Sequence, residues 1–166
     1  FYCKVDDPED LLEGAWAHGI EGVLNSVFKC TREVIVHMLK QGAGNVINVS
    51  SVYGMQPPDF RIYKDYPKFF NPANYGTAKA AIIHMTKYYA AYYAKDGIRI
   101  NSISPGAFPS ESVQREKKFI DILENEIPLG RIGQPEDLKG LVVFLAGEAS
   151  KYITGQNIVI DGGWSL

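Results

Sequence analysis

Tyr75 and Lys79 stand four residues apart in the stretch NPANYGTAKAAIIHMTKYYAAYYAKDG, which runs from Asn71 to Gly97. On a helix that spacing puts both side chains on one face, so an ammonium comes within reach of a phenol. A free tyrosine titrates near about 10 and exchanges protons poorly at neutral pH; a close cation favours the phenolate and lowers that value. A place near the helix start acts the same way through the dipole. Such a tyrosine could serve as general acid or base toward a carbonyl or an alcohol. The spacing is a weak signal by itself, because a chain with ten tyrosines produces it readily by chance. The same helix also carries Tyr88, Tyr89, Tyr92 and Tyr93. Ser51, at the end of the run NVINVSS, adds a hydroxyl that can hold a substrate oxygen beside Tyr75, and strand ends of parallel sheets are where sites form. Its neighbour Ser50 reads as a satisfied strand-end hydroxyl.

The elements that must position these groups are legible from period and punctuation. Asp7-Pro8-Glu9-Asp10 predicts a helix start, with Asp7 as cap and acidic residues at the positive end of the dipole. A helical pattern then runs to about Lys40, with Val23, Val27, Cys30, Val34 and Met38 as its apolar stripe and Gly42-Ala43-Gly44 as its end. Asn45 to Ser51 reads as a buried β-branched strand. From Gly54 to Phe70 the text is rich in proline and aromatics without period, an ordered loop of a length that is often functional. Asn71-Pro72 opens a second long helix that ends at Asp96-Gly97. Ile98 to Ser104 predicts a second strand, Ser110 to Asn125 an amphipathic helix, Pro135 another helix start, and Asn157 to Ile160 a third strand. Alternating helices and strands imply right-handed crossovers and a parallel sheet with helices on both faces, the α/β class. Three strands are few for that class.

Length and composition fit one globular domain: 166 residues, 46% hydrophobic and 22% charged. A net charge of -2 with scattered basic residues gives no footprint for nucleic acid or an anionic membrane. Cys3 and Cys30 make neither a metal spacing nor a disulfide framework, which fits a reducing, cytoplasmic setting. His18, His37 and His84 share no ligand spacing, so no metal site is expected. No stretch is apolar enough to span a membrane, and the first residues lack the pattern of a secretion signal.

Four segments in order, NVINVSSVYG, YGTAK, IRINSISPG and PLGRIGQPEDLKGLVVFLAGEASKYITGQNIVIDGG, closely resemble the short-chain dehydrogenase/reductase family, from about Glu13 to Gly163. The resemblance implies a Rossmann-type doubly wound parallel sheet and hydride transfer between NAD or NADP and an alcohol or carbonyl substrate. In that reading Tyr75 is the general acid/base, Lys79 lowers its pKa and holds the nicotinamide ribose, and Ser51 orients the substrate. Pro105 and Gly106 match the turn beside the nicotinamide, the backbone of Phe108 meets its carboxamide, and Ser110 falls where the family usually has a pyrophosphate-contacting threonine.

Two departures accompany the resemblance. The family's catalytic asparagine falls at Val23, and Asn25, about 200° round an ideal helix, is no obvious substitute. The family's glycine-rich TGxxxGxG turn and NNAG segment do not occur among these 166 residues. The chain is therefore expected to be a single partial domain without the dinucleotide-binding half, belonging to a longer protein, with an unpaired apolar edge along NVINVSS that makes it aggregation-prone in isolation.

The interval from Ser51 to Tyr75 is longer than the family's usual dozen or so residues, and the surplus carries Arg61, Tyr63, Lys64, Tyr66 and Lys68. Aromatic rings stack on sugar faces and a guanidinium grips a carboxylate, so Arg61 and Tyr63 are candidate substrate contacts. A sugar or sugar acid is then the expected substrate, as in gluconate 5-dehydrogenase-type members, which this region resembles most; an inert surface loop or a subunit contact is the alternative. The pairs Tyr88/Tyr92 and Tyr89/Tyr93, with Trp16 and Phe28, suit either core packing or the homodimer and homotetramer contacts common in the family. Competing readings of the whole are a non-catalytic binding or oligomerisation fragment and an epimerase or dehydratase of the same family.

Overall fold

The structure, a computed structural model, describes residues 8–166; Asp7 and Cys3, named above, lie outside the described residues. Pro8–Asp10 is a short 3-10 turn. Leu12 is extended, at φ -62° and ψ 146°, and helix α1 starts afresh as Glu13–Ile20. A π-helical turn, Glu21–Asn25, joins it to α2, Ser26–Gln41. The single helix expected from Asp7-Pro8 to Lys40 is thus interrupted at Leu12 and widened at Glu21–Asn25. An apolar stripe spaced by three and four does not separate a continuous helix from one with a widened turn. Gly42, in the left-handed region at φ 67°, ends α2 as the glycine pair suggested.

Strands β1, Gly44–Val49, β2, Ile98–Pro105, and β3, Asn157–Ile160, form a parallel sheet in the order β1-β2-β3. Val46 pairs with Ile100, and Ile103 with Ile158. The alternation along β2 assigns its two faces. Ile98 and Ile100 pack with Ile35 of α2 and with Ala90 of α3, the long helix Ala73–Tyr93. Arg99 and Asn101 turn the other way and donate to the carbonyls of Leu145 and Ile153, at and beyond the end of α6, Pro135–Ala146. Helices cover both faces, as the α/β reading requires. The expectation that the first strand is buried holds for Asn48, Ser50 and Ser51 but not for Val49, which is 49% exposed, because β1 is an outer strand of the three among the described residues.

Helix α3 lies close to the sheet because its inward stripe, Ala78, Ile82, Thr86 and Ala90, is small or medium-sized and buried. Thr86 accepts from the Asn48 amide at 2.9 Å, which satisfies a polar pair inside the layer. The tyrosines divide along this geometry: Tyr89 and Tyr93 pack on the Ile35/Ile98 core, whereas Tyr88 and Tyr92 face outward.

A second core sits beyond the strand ends. Ile62 and Tyr63, from the aperiodic loop, pack against Phe119, Ile120 and Leu123 of α5, Lys117–Glu126. The loop is ordered through 3-10 turns at Val52–Gly54, Phe60–Tyr63 and Pro67–Phe69. The helix expected from Ser110 to Asn125 is two helices, α4, Glu111–Gln114, and α5. The break at Glu116, with φ -85° and ψ 76°, turns the apolar side of α5 toward the loop.

Candidate active site

Ser51, Tyr75 and Lys79 come together because two backbone segments touch. The chain leaves β1 through Ser50 and Ser51, both buried, then makes the 3-10 turn Val52–Gly54 against the first turns of α3. A Cβ on Gly54 would stand 2.7 Å from the Lys79 carbonyl carbon, and one on Gly76 would stand 2.8 Å from the Tyr53 oxygen. Only glycine at both positions permits that approach. Side chains then fasten it. Ser50 Oγ donates to the Lys79 carbonyl at 2.7 Å, which makes Ser50 the satisfied structural hydroxyl expected of it. Lys79 Nζ donates to the Val49 carbonyl at 2.9 Å, so the lysine is held between β1 and α3. At the other end of this helix start, Asn74 donates to the Ala15 carbonyl at 3.0 Å and ties α3 to α1.

Lys79 Nζ lies 5.6 Å from the centroid of the Tyr75 ring. Burial holds the Lys79 pKa below the ordinary lysine value, since a half-buried ammonium loses hydration. An ammonium has three N–H donors, and the bond to Val49 engages one of them. Ser51 Oγ caps the following turn by accepting from the Tyr53 backbone N–H at 3.1 Å, and its own O–H is left to donate elsewhere.

Tyr75 lines three cavities, and two of them also hold Lys79 or Ser51. One, of about 750 Å³, opens between α2, β1 and α3 and is lined by Val23, Val27, Val34, Met38 and Lys79 among others. The other, of about 460 Å³, lies beyond the strand ends and is lined by Ser51, Tyr53, Tyr63, Tyr75, Gly106, Phe108, Ser110 and Trp164 among others. The second cavity therefore gathers six of the residues singled out from sequence: Ser51, Tyr63, Tyr75, Gly106, Phe108 and Ser110. Pro105 ends β2 opposite Ile160, and Gly106 continues that pairing through its N–H to the Ile160 carbonyl at 3.0 Å. Arg61 lines neither cavity. Its side chain is 89% exposed and its guanidinium is paired with Asp59. Tyr63 points inward from the same turn.

Three features escaped the sequence reading. Tyr53 and Tyr63 share a hydrogen bond between hydroxyls at 2.5 Å; burial, with each other's proximity, raises the Tyr53 pKa, and burial raises that of Tyr63. Both stay neutral hydroxyls that donate and accept. Trp164 meets Tyr53 edge-on at 5.7 Å between centroids. Neither has a periodic signal; Tyr53 could have been singled out only by standing two residues after Ser51. The third is the π-turn that carries Val23, and such turns recur at functional sites. Val23 lines the larger cavity beside Tyr75, whereas Asn25 gives its amide to Glu21 at 2.5 Å and lines neither cavity.

A nicotinamide cofactor is implied by the resemblance, and the residues present fit its nicotinamide-ribose portion. Lys79, on the other side of Tyr75, has two N–H donors beyond its bond to Val49, and Tyr75, Gly106 and Phe108 border one cavity. Among the described residues no acidic, histidine or cysteine cluster could hold a metal ion, and no helix is long and apolar enough to cross a membrane.

A family model described as enoyl-(acyl carrier protein) reductase matches residues 6–165. A 3-oxoacyl-[acyl-carrier-protein] reductase of Thermotoga maritima is 37% identical over 91% of this chain and 57% of its own length. A 2-dehydro-3-deoxy-D-gluconate 5-dehydrogenase of Bacillus subtilis is 38% identical over 94% of this chain and 58% of its own. The chain thus spans less than two thirds of either relative. Among solved structures, a short-chain dehydrogenase from Leptospira borgpetersenii with bound NAD+ superposes with a TM-score of 0.86 at 38% identity, covering 100% of this chain and 63% of that one.

Proposed function

Since this chain belongs to the short-chain dehydrogenase/reductase family, we propose that the protein it forms part of interconverts an alcohol and a carbonyl with NAD or NADP, using Tyr75 as general acid/base. The observation that carries this reading is the seating of Lys79: its ammonium is fixed by the Val49 carbonyl at 2.9 Å and lies 5.6 Å from the Tyr75 ring. A cation held there favours the phenolate and lowers the cost of moving a proton between Tyr75 and a substrate oxygen. Ser51 orients that oxygen from the far side of the turn. Lys79 and Tyr75 hold the ribose, and Pro105, Gly106, Phe108 and Ser110 border the nicotinamide. The bound cofactor supplies or accepts the hydride. Val23 provides no polar group for a proton path, so the proton leaves Tyr75 through Lys79 and solvent.

The substrate is a polyhydroxylated molecule such as a sugar or sugar acid. The Tyr53/Tyr63 hydroxyl pair and the aromatic walls of the 460 Å³ cavity suit a molecule that presents both hydroxyl groups and C–H surface, and the Bacillus subtilis relative is named for a keto-deoxy sugar acid. The setting is cytoplasmic. Exposed Trp16, Phe28, Tyr88 and Tyr92 supply the faces on which homodimers or homotetramers form.

Replacing Tyr75 with Phe in the full-length protein is expected to lower kcat by about two to four orders of magnitude, while the cofactor dissociation constant, read by NADH or NADPH fluorescence, changes little. Substantial residual turnover would remove Tyr75 from its role.

A further inference from the structure

The walls of the 460 Å³ cavity are aromatic, small apolar or neutral polar, with one exception: Lys68 is the charged side chain among its lining residues. Its ammonium pairs with Glu116 at 2.8 Å and lies 4.8 Å from the centroid of the Phe69 ring. Glu116 does not line the cavity. Lys68 comes from the loop, and Glu116 stands at the break between α4 and α5. The pair is half exposed, at 50% and 43% of the two side chains, so the bond between them is weak and exchangeable.

From this arrangement we infer that Lys68 is the carboxylate-recognising residue of the substrate cavity, and that Glu116 holds its ammonium at the rim until the acid group of a substrate replaces it. This rests on the hydroxyl-rich substrate reading above and narrows it to acids. A cation set in a cavity with no anionic lining side chain attracts a carboxylate and gives nothing to a neutral polyol of the same length. The ammonium is never left unpaired in the exchange, and the displaced Glu116 carboxylate, 43% exposed, returns to solvent. The nearby Phe69 face steadies the ammonium in both states. Arg61, the cation that sequence spacing suggested for this task, faces solvent on its Asp59 partner.

The test is a specificity ratio in the full-length protein with NAD or NADP: kcat/KM for D-gluconate over kcat/KM for D-glucitol. Lys68→Met is expected to lower that ratio about tenfold or more, the loss of one charge-assisted hydrogen bond, and Lys68→Arg to restore most of it. Glu116→Gln, which frees the ammonium, is expected to raise the ratio a few-fold. If Lys68→Met and Glu116→Gln change both substrates alike, the pair is only a strap between the loop and the α4/α5 break and the inference is wrong. If the wild-type protein oxidises neither compound but reduces neutral acyl thioesters, the hydroxyl-rich substrate reading falls, and the role of Lys68 with it.

Discussion

Two of the cavities that meet at Tyr75, the one with Lys79 and the one with Ser51, are built by different means. The larger is a trough between helix α2, strand β1 and α3, with Val23, Val27, Val34 and Met38 along it. Its walls are regular elements, and its residues recur at helical or strand spacing. The smaller is made by loops and short turns beyond the strand ends, closed by Tyr53 on Trp164 and by Tyr63 and Phe69 on Phe119. These aromatic contacts, with centroids 4.7 to 5.8 Å apart, contribute directional packing beyond the area they bury. The difference teaches where each kind of specificity resides. The scaffold side fixes Lys79 and the start of α3, and the irregular side decides what can approach Tyr75.

The variant with the largest expected effect is the one at the shared residue, Tyr75→Phe, whose loss in kcat is given above. Next comes the contact that brings the two sides together. Gly54→Ala places a methyl 2.7 Å from the Lys79 backbone, and relief of that overlap is expected to cost about 1–3 kcal/mol of stability and to drop activity with it. Thermal unfolding and initial rates check both; a wild-type melting temperature would mean that the turn is not pressed on α3. Tyr53→Phe acts on the irregular side alone. It removes one hydroxyl of the 2.5 Å pair and is expected to raise the substrate KM about two- to tenfold while cofactor affinity stays put, so an equal change in both would erase the distinction between the sides.

Val23→Asn probes the trough. It puts an amide where the family carries one, and steady-state kinetics are expected to show a gain in kcat of no more than about threefold, a barrier change of under about 1 kcal/mol. A tenfold gain would show that proton escape on this side limits the rate. The smallest effect belongs to Asp137, which lines neither cavity. The Arg131 guanidinium, with the Gln134 backbone N–H, holds its carboxyl at about 2, below the ordinary 3.8. A lowered carboxylate pKa contributes stability that is present above the ordinary value and is lost as pH falls through the lowered one. Acid unfolding of Asp137→Asn is therefore expected to show a slightly shallower dependence on pH below 4 than the wild type.

Much of the regular side was legible before any coordinates. The strands at Ile98 and Asn157, the stop at Gly42 and the helix from Pro135 were all marked by period and by glycine or proline. What misled was continuity. The π-turn at Glu21–Asn25 and the break at Glu116 interrupt runs whose apolar spacing stays unbroken, because three- and four-residue intervals tolerate a widened or kinked turn. On the irregular side, Arg61 and Tyr63 are two residues apart in one short turn, yet one points to solvent and the other into the core. That choice follows from the Asp59 carboxylate waiting outside and Phe119 waiting inside, neither of which is encoded in the spacing.

By itself the sequence determined the parallel α/β order, the pairing of Tyr75 with Lys79 on one helix face, and the presence of Ser51 at a strand end, since each depends on local period and on chain order. Only the tertiary structure decided that Gly54 and Gly76 allow the turn and the helix to touch, and that Tyr53, Trp164 and Lys68 share a cavity with Tyr75. Those facts depend on contacts between residues far apart in the chain, and side-chain spacing carries no information about which distant surface a residue will meet.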